Sequence, residues 1–98
     1  MPAHIPIDQQ AIAAFCRKWR VTELGLYGSV LRDDFRPDSD IDVFVTFEGD
    51  YTPGLAIVDM SDELSFLLGR PVDLGTKRAL HPRVRARVLA SSEVIFAA

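Results

Sequence analysis

The chain has 98 residues, 48% of them hydrophobic, with a formal net charge of −3 and a single cysteine. That length suits one domain with a modest core, and the apolar content excludes a disordered polar tract. No apolar run is long enough for a membrane span, and one cysteine rules out an intrachain disulfide. Met1 to Asp8 lacks a basic stretch followed by an apolar one, so no signal peptide is expected. A cytoplasmic location is the simplest expectation.

Asp8 has the chemistry of a helix N-cap, with Ile7 and Ile12 placed for a hydrophobic staple. Ile12, Phe15, Cys16 and Trp19 then recur at helical spacing, which predicts a helix ending near Arg20. Cys16 falls on its apolar side and reads as a small core residue. A strand is predicted over Glu23–Tyr27, ending at a Gly28-Ser29 turn, and a short helix over Val30–Asp34. After a loop through Pro37, Ile41, Val43, Val45 and Phe47 alternate with Asp40, Asp42, Phe44 and Thr46. This period of two predicts a strand over Ile41–Phe47. Thr52-Pro53 looks like a cap and first-turn proline for a helix that buries Ile57, Met60, Leu64 and Leu67 or Leu68. Gly69 and Pro71 end it. Val72–Leu74 reads as a third strand, Pro82 opens a last helix turning Leu80, Val84 and Val88 inward, and 92–97 closes the chain as a strand. The predicted order is α-β-α-β-α-β-α-β, an α/β (α+β) single domain over 1–98.

The chemistry concentrates between Tyr27 and Asp42. Asp40 and Asp42 are two residues apart, so they share a face of the strand, roughly 6–7 Å apart at Cα. Two carboxylates held together repel each other unless a cation lies between them. Mg²⁺ suits the pair, because it takes oxygen ligands and borrows more from phosphates and water. Asp73 joins them if the third strand neighbours the second. Gly28 lets the backbone approach a ligand closely. Ser29 offers a hydroxyl and an N–H at a helix start, a position that favours anions. Arg32, one turn further on, could reach a phosphate or pair with Asp33 or Asp34. Asp33, Asp34 and Asp38 read as solvated loop residues, and Tyr27 as structural. A calcium-binding EF-hand loop starting at Asp38 is rejected. Its sixth and twelfth positions would need Gly and Glu and hold Val43 and Gly49. No Walker A or Rossmann glycine pattern is present.

Gly28-Ser29, the ten-residue gap and Asp40-Ile41-Asp42 together resemble the active-site motif of the nucleotidyltransferase superfamily typified by DNA polymerase beta. At this length the chain is most similar to the minimal nucleotidyltransferases, many of them antitoxins paired with HEPN-domain ribonuclease toxins. The resemblance implies the nucleotidyltransferase fold, a small mixed sheet backed by helices with the carboxylates on its other side. It implies Asp40, Asp42 and Asp73 as catalytic metal ligands and Gly28, Ser29 and Arg32 on the nucleotide. It implies two Mg²⁺ ions and ATP as substrate. The first two aspartates would bridge the metals, and the third would bind the metal that activates the attacking hydroxyl. Two ions about 3.5–4 Å apart suit in-line displacement on a phosphate. The resemblance also implies transfer of AMP from ATP to a hydroxyl, expected to be a tyrosine, on a cognate HEPN-type toxin. Rival readings are an antitoxin acting by complex formation alone, or a small-molecule nucleotidyltransferase.

Larger relatives carry a further helical domain that holds base or acceptor. This sequence shows none, which favours a protein acceptor docked on the open face. Charge is unevenly spread. Arg36 is the only basic residue among ten acids from Asp33 to Glu63, and six basic residues accompany Asp73 alone from Arg70 to Arg87. The acidic whole argues against a dedicated nucleic-acid binder. The basic set (Arg70, Lys77, Arg78, Arg83, Arg85, Arg87) could grip a triphosphate, RNA or an acidic partner, or be a solvated helix face. Self-association and assembly with another protein are both compatible with these patterns.

Overall fold

A computed structural model describes residues 5–31 and 40–98. Its first helix, α1, spans Gln9–Lys18. The Asp8 carboxylate accepts from the Gln10 and Ala11 N–H groups, both at 3.1 Å, as a cap should. Ile12, Phe15 and Cys16 are the residues α1 buries, and Ile7 packs against the same core.

Strand β1 spans Val21–Tyr27, two residues longer at its start than expected. Strand β2 spans Ile41–Phe47, as the alternation predicts. Between them Gly28–Leu31 forms a 3-10 turn. The rest of the expected short helix lies outside the described residues. Helix α2 spans Ile57–Leu68 and ends on Gly69, which adopts the left-handed conformation at φ 74°. Strand β3 is Val72–Thr76, helix α3 is Pro82–Ala90, and strand β4 is Glu93–Ala97.

The four strands lie in the order β3-β2-β1-β4. β1 is antiparallel to β2 and to β4, and β2 is parallel to β3. A parallel pair needs a crossover, and α2 supplies it. α1 packs on β1 and β4, α2 packs on β3, and the two helices touch each other. Glu63 ties them, accepting from the Lys18 ammonium at 2.6 Å and from the Trp19 indole N–H. The hydrogen bond from Lys18, then that from Trp19, holds the Glu63 carboxyl below its usual range.

One face of β2 is wholly apolar. Ile41, Val43 and Val45 are fully buried and join Met60 and Leu64 of α2 and Ile12 and Cys16 of α1 in a single core. Burial pushes the Cys16 thiol up to about 12, which keeps it protonated and inert at neutral pH. Helices α1 and α2 thus cover one side of the sheet, and Asp42 and Asp73 face the other.

Two expectations need correction. Thr52 does not cap an α-helix. Its hydroxyl accepts from Gly54 N–H at 3.4 Å and precedes a 3-10 turn over Gly54–Ala56. α2 begins only at Ile57, with Ala56 at its N-cap and no side-chain cap bond. Val84 does not turn inward. It is 46% exposed, and α3 buries none of its residues fully. Periodicity finds the apolar side of a helix but cannot say what covers it.

Candidate active site

The sheet register assembles the site. Asp42 on β2 stands directly opposite Asp73 on the parallel strand β3. On its other side Asp42 stands opposite Tyr27 of β1. Neighbouring strands are about 4.8 Å apart, so three side chains meet in a row across three strands. Asp42 is half-buried and Asp73 exposed. Both alternate with core residues, since Ile41, Val43, Val72 and Leu74 belong to or pack against the core. The two carboxylates therefore share the face away from the helices.

The neighbouring backbone is fitted to Asp42. Gly28 has φ 78° and lies so close that a Cβ there would run into the Asp42 carboxylate. Glycine is required twice at this point, for its conformation and for its missing side chain. A second glycine serves the same row. Gly25 faces Phe44 across β1 and β2, and a Cβ on it would occupy the Phe44 ring. Phe44 is 1% exposed yet lies outside the helix-side core. Its ring centroid is 6.2 Å from that of Tyr27. An aromatic pair thus forms the floor beside the carboxylates.

Tyr27 feels both acids. Burial first, then the negative charges of Asp42 and Asp73, push its phenol above the usual range. It stays protonated at neutral pH, a hydroxyl beside two carboxylates. Sequence reading assigns it a purely structural role. The usable signal is its alternation with Gly25 on the strand that precedes the turn.

The other predicted residues fall as follows. Asp40 is exposed and sits immediately before β2. Ser29 lies in the 3-10 turn directly after Gly28, and its side chain is outside what is described. Arg32 is likewise outside the described residues. Among the described residues no three Asp, Glu, His or Cys side chains converge closely enough to hold a metal by themselves. The Asp42–Asp73 pair nonetheless fits Mg²⁺: hard oxygen donors face each other beside a backbone cradle that a Cβ would fill. Such an ion draws its remaining ligands from phosphate and water.

A cavity of about 360 Å³ lies elsewhere, lined by Val45, Thr46, Phe47, Tyr51 and Thr76 among others. Thr46 is four residues along β2 from Asp42, about 13 Å away. The cavity contains one carboxylate, Asp50, whereas charge converges at Asp42 and Asp73. The paired acids Asp42 and Asp73 lie outside that cavity's lining.

Fold and site together define a class. The nucleotidyltransferase domain family matches residues 9–95, and the chain belongs to that family. Protein adenylyltransferase MntA of Thermococcus cleftensis is 34% identical over 79 residues, covering 81% of this chain and 77% of that protein. A solved structure assigned provisionally to the minimal nucleotidyltransferases is 34% identical at a TM-score of 0.72. It covers 87% of this chain and 86% of that one. A toxin–antitoxin crystal structure with AMP-PNP matches at TM-score 0.74, covering 94% of this chain and 75% of that one. At 19% identity that match speaks for the fold alone.

Proposed function

We propose that this nucleotidyltransferase is a protein adenylyltransferase that acts as an antitoxin. It transfers AMP from ATP to a hydroxyl, expected to be a tyrosine, on a cognate HEPN-type ribonuclease toxin. The observation that carries the reading is Asp42 opposite Asp73 on the open face of the sheet, with Gly28 closed against Asp42. The kinship to protein adenylyltransferase MntA supports the substrate class.

The residues divide the work. Gly28 and the N–H groups of the turn after it receive the triphosphate, as anions settle where successive N–H groups point outward. Asp42 and Asp73, with Asp40 ahead of them, would hold Mg²⁺. The ion would supply charge neutralisation for the phosphates and would favour ionisation of the acceptor hydroxyl. Asp73 lies on the side of β2 away from Gly28, so an acceptor hydroxyl enters over β3 and attacks the α-phosphorus. One P–O bond forms to the acceptor, the bond to the β-phosphate breaks, and pyrophosphate leaves. In this reading Asp73 takes the hydroxyl proton. Tyr27, kept protonated, offers no competing base.

A second reading, neutralisation by complex formation alone, draws on Leu55 and Phe66, 95% and 86% exposed. Large apolar side chains left in water are what a stoichiometric partner covers. One experiment separates the two. The protein is incubated with α-labelled ATP, Mg²⁺ and a candidate HEPN-type toxin. Label on a tyrosine of that protein supports transfer. Tight association with no label supports complex formation alone.

A further inference from the structure

β3 carries Asp73 and, among the described strands, lies at the sheet edge with β2 as its one neighbour. A five-residue parallel edge strand is weakly fixed by its ladder alone, and its register decides where its side chains point. α2 fastens this strand at one residue. The Val72 N–H donates to Ser65 Oγ at 3.1 Å. The Ser61 hydroxyl donates to the Val72 carbonyl at 3.4 Å. Both polar backbone groups of the residue just before Asp73 are thereby taken by two serines one turn apart on α2.

Ser65 is the centre of the arrangement. Its hydroxyl donates to the Ser61 carbonyl at 2.8 Å, which aims a lone pair at Val72. Its own carbonyl accepts the Gly69 and Arg70 N–H groups, at 2.8 and 3.2 Å. One residue thus closes the helix, sets the turn and receives the strand. Pro71 completes the join, its carbonyl accepting the Ile41 N–H at 2.9 Å. A helical serine ordinarily bonds back to the preceding turn or faces water. Receiving a strand amide as well is a use that helix formation does not require.

We propose that Ser65, supported by Ser61, is a positioning residue for nucleotidyl transfer: it locks β3 to α2 at Val72 and so holds Asp73 opposite Asp42. The proposal rests on the transfer reading of the carboxylates. Ser65 touches no reacting atom; it acts through the strand. A displacement of about 1 Å in a catalytic group can cost about 10²-fold in rate, so a loosened edge strand registers in turnover before it registers in folding.

The test compares wild type, Ser65→Ala, Ser65→Thr and Asp8→Ala. Asp8→Ala removes the α1 cap and controls for loss of stability far from the site. Three properties are measured: amide exchange at Val72, Mn²⁺ affinity without nucleotide, and kcat and KM for ATP with a candidate HEPN-type toxin as acceptor. Ser65→Ala should exchange Val72 at least about tenfold faster, the scale of one lost hydrogen bond. It should bind Mn²⁺ more weakly and lose kcat about tenfold, with KM for ATP within about twofold. Ser65→Thr should restore all three, and Asp8→Ala should lower the melting temperature with kcat unchanged. A Val72 amide that exchanges in wild type like an exposed one overturns the proposal without any variant. So does an equal loss of kcat in Asp8→Ala. Transfer by wild type with unchanged kcat in Ser65→Ala sinks the proposal alone. No transfer by wild type sinks the transfer reading and the proposal with it.

Discussion

The two faces of β2 obey different rules. On one, Ile41, Val43 and Val45 are all fully buried against the helices. On the other, Asp42, Phe44 and Thr46 alternate with them, and only Phe44 is buried. The helix side is specified by transfer free energy, which needs only apolar residues of about the right size. The open side is specified by contacts across strands: Asp42 with Asp73, Asp42 with Gly28, Phe44 with Gly25. The core side and the proposed site thus lie on opposite sides of the same seven residues. Substitutions on each side should therefore fail in different ways.

The largest expected effect is on the helix side. Leu64→Ala removes a fully buried α2 side chain and should lower stability by about 2–5 kcal/mol. Turnover per folded molecule should stay near wild type. Denaturant melts with a transfer assay on the folded fraction check both halves. On the open side, Gly28→Ala should do the reverse. Its new methyl meets the Asp42 carboxylate and strains a positive φ. Displacing that carboxylate should cost about 10²-fold in transfer, with a stability loss of about 1 kcal/mol. If the two variants fail alike, the division between faces is wrong.

The first helix and the short loops show how much of this was legible in the sequence. Asp8 as a cap, the α1 core residues and the alternation of β2 follow from local rules, because each element buries one side. The order of strands, and hence Asp42 facing both Tyr27 and Asp73, depends on long-range pairing that no local period encodes. That is why Asp73 gains its partner, and Tyr27 its charged surroundings, only in the folded sheet. Thr52-Pro53 misleads for a different reason. A threonine hydroxyl closes a 3-10 turn as readily as it caps an α-helix, and the turn shifts the true start to Ile57. The shift leaves Leu55 and Val58 outside the core. The α2 serines are invisible to periodicity, since their partner Val72 lies on another element.

A smaller effect belongs to pH on the helix side. The Cys16 thiol is raised by burial from 9.0 to about 12. Above pH 9 the unfolded chain sheds this proton while the folded chain keeps it. Stability should therefore fall as pH rises from 9 towards 12, and be unaffected by this group below pH 9. Cys16→Ala should flatten that part of the profile. A wild-type profile no steeper than the variant's would show that the thiol titrates freely in the folded state.

The smallest effect on folding should come from α3. Arg83 and Arg87 are both exposed and one turn apart, so they share a face. Reversing both to Glu should leave the melt nearly unchanged, because exposed ion pairs contribute about 0–1 kcal/mol. It should weaken association with an acidic patch of the partner and reduce its salt dependence. Binding at two salt concentrations decides. Unchanged affinity and slope would reduce this face to solvated surface.

The central claim is that the facing carboxylates carry nucleotidyl transfer. Its most direct measurement is single-turnover transfer of α-labelled AMP, with Mg²⁺ and a candidate HEPN-type toxin as acceptor, by wild type, Asp42→Asn and Asp73→Asn. Each substitution keeps the shape and removes the charge. The account predicts a loss of about 10²-fold or more in each variant, since metal-held charge contributes several kcal/mol to such a transition state, with melting temperatures at or above that of wild type. Transfer at the wild-type rate by either folded variant would contradict it.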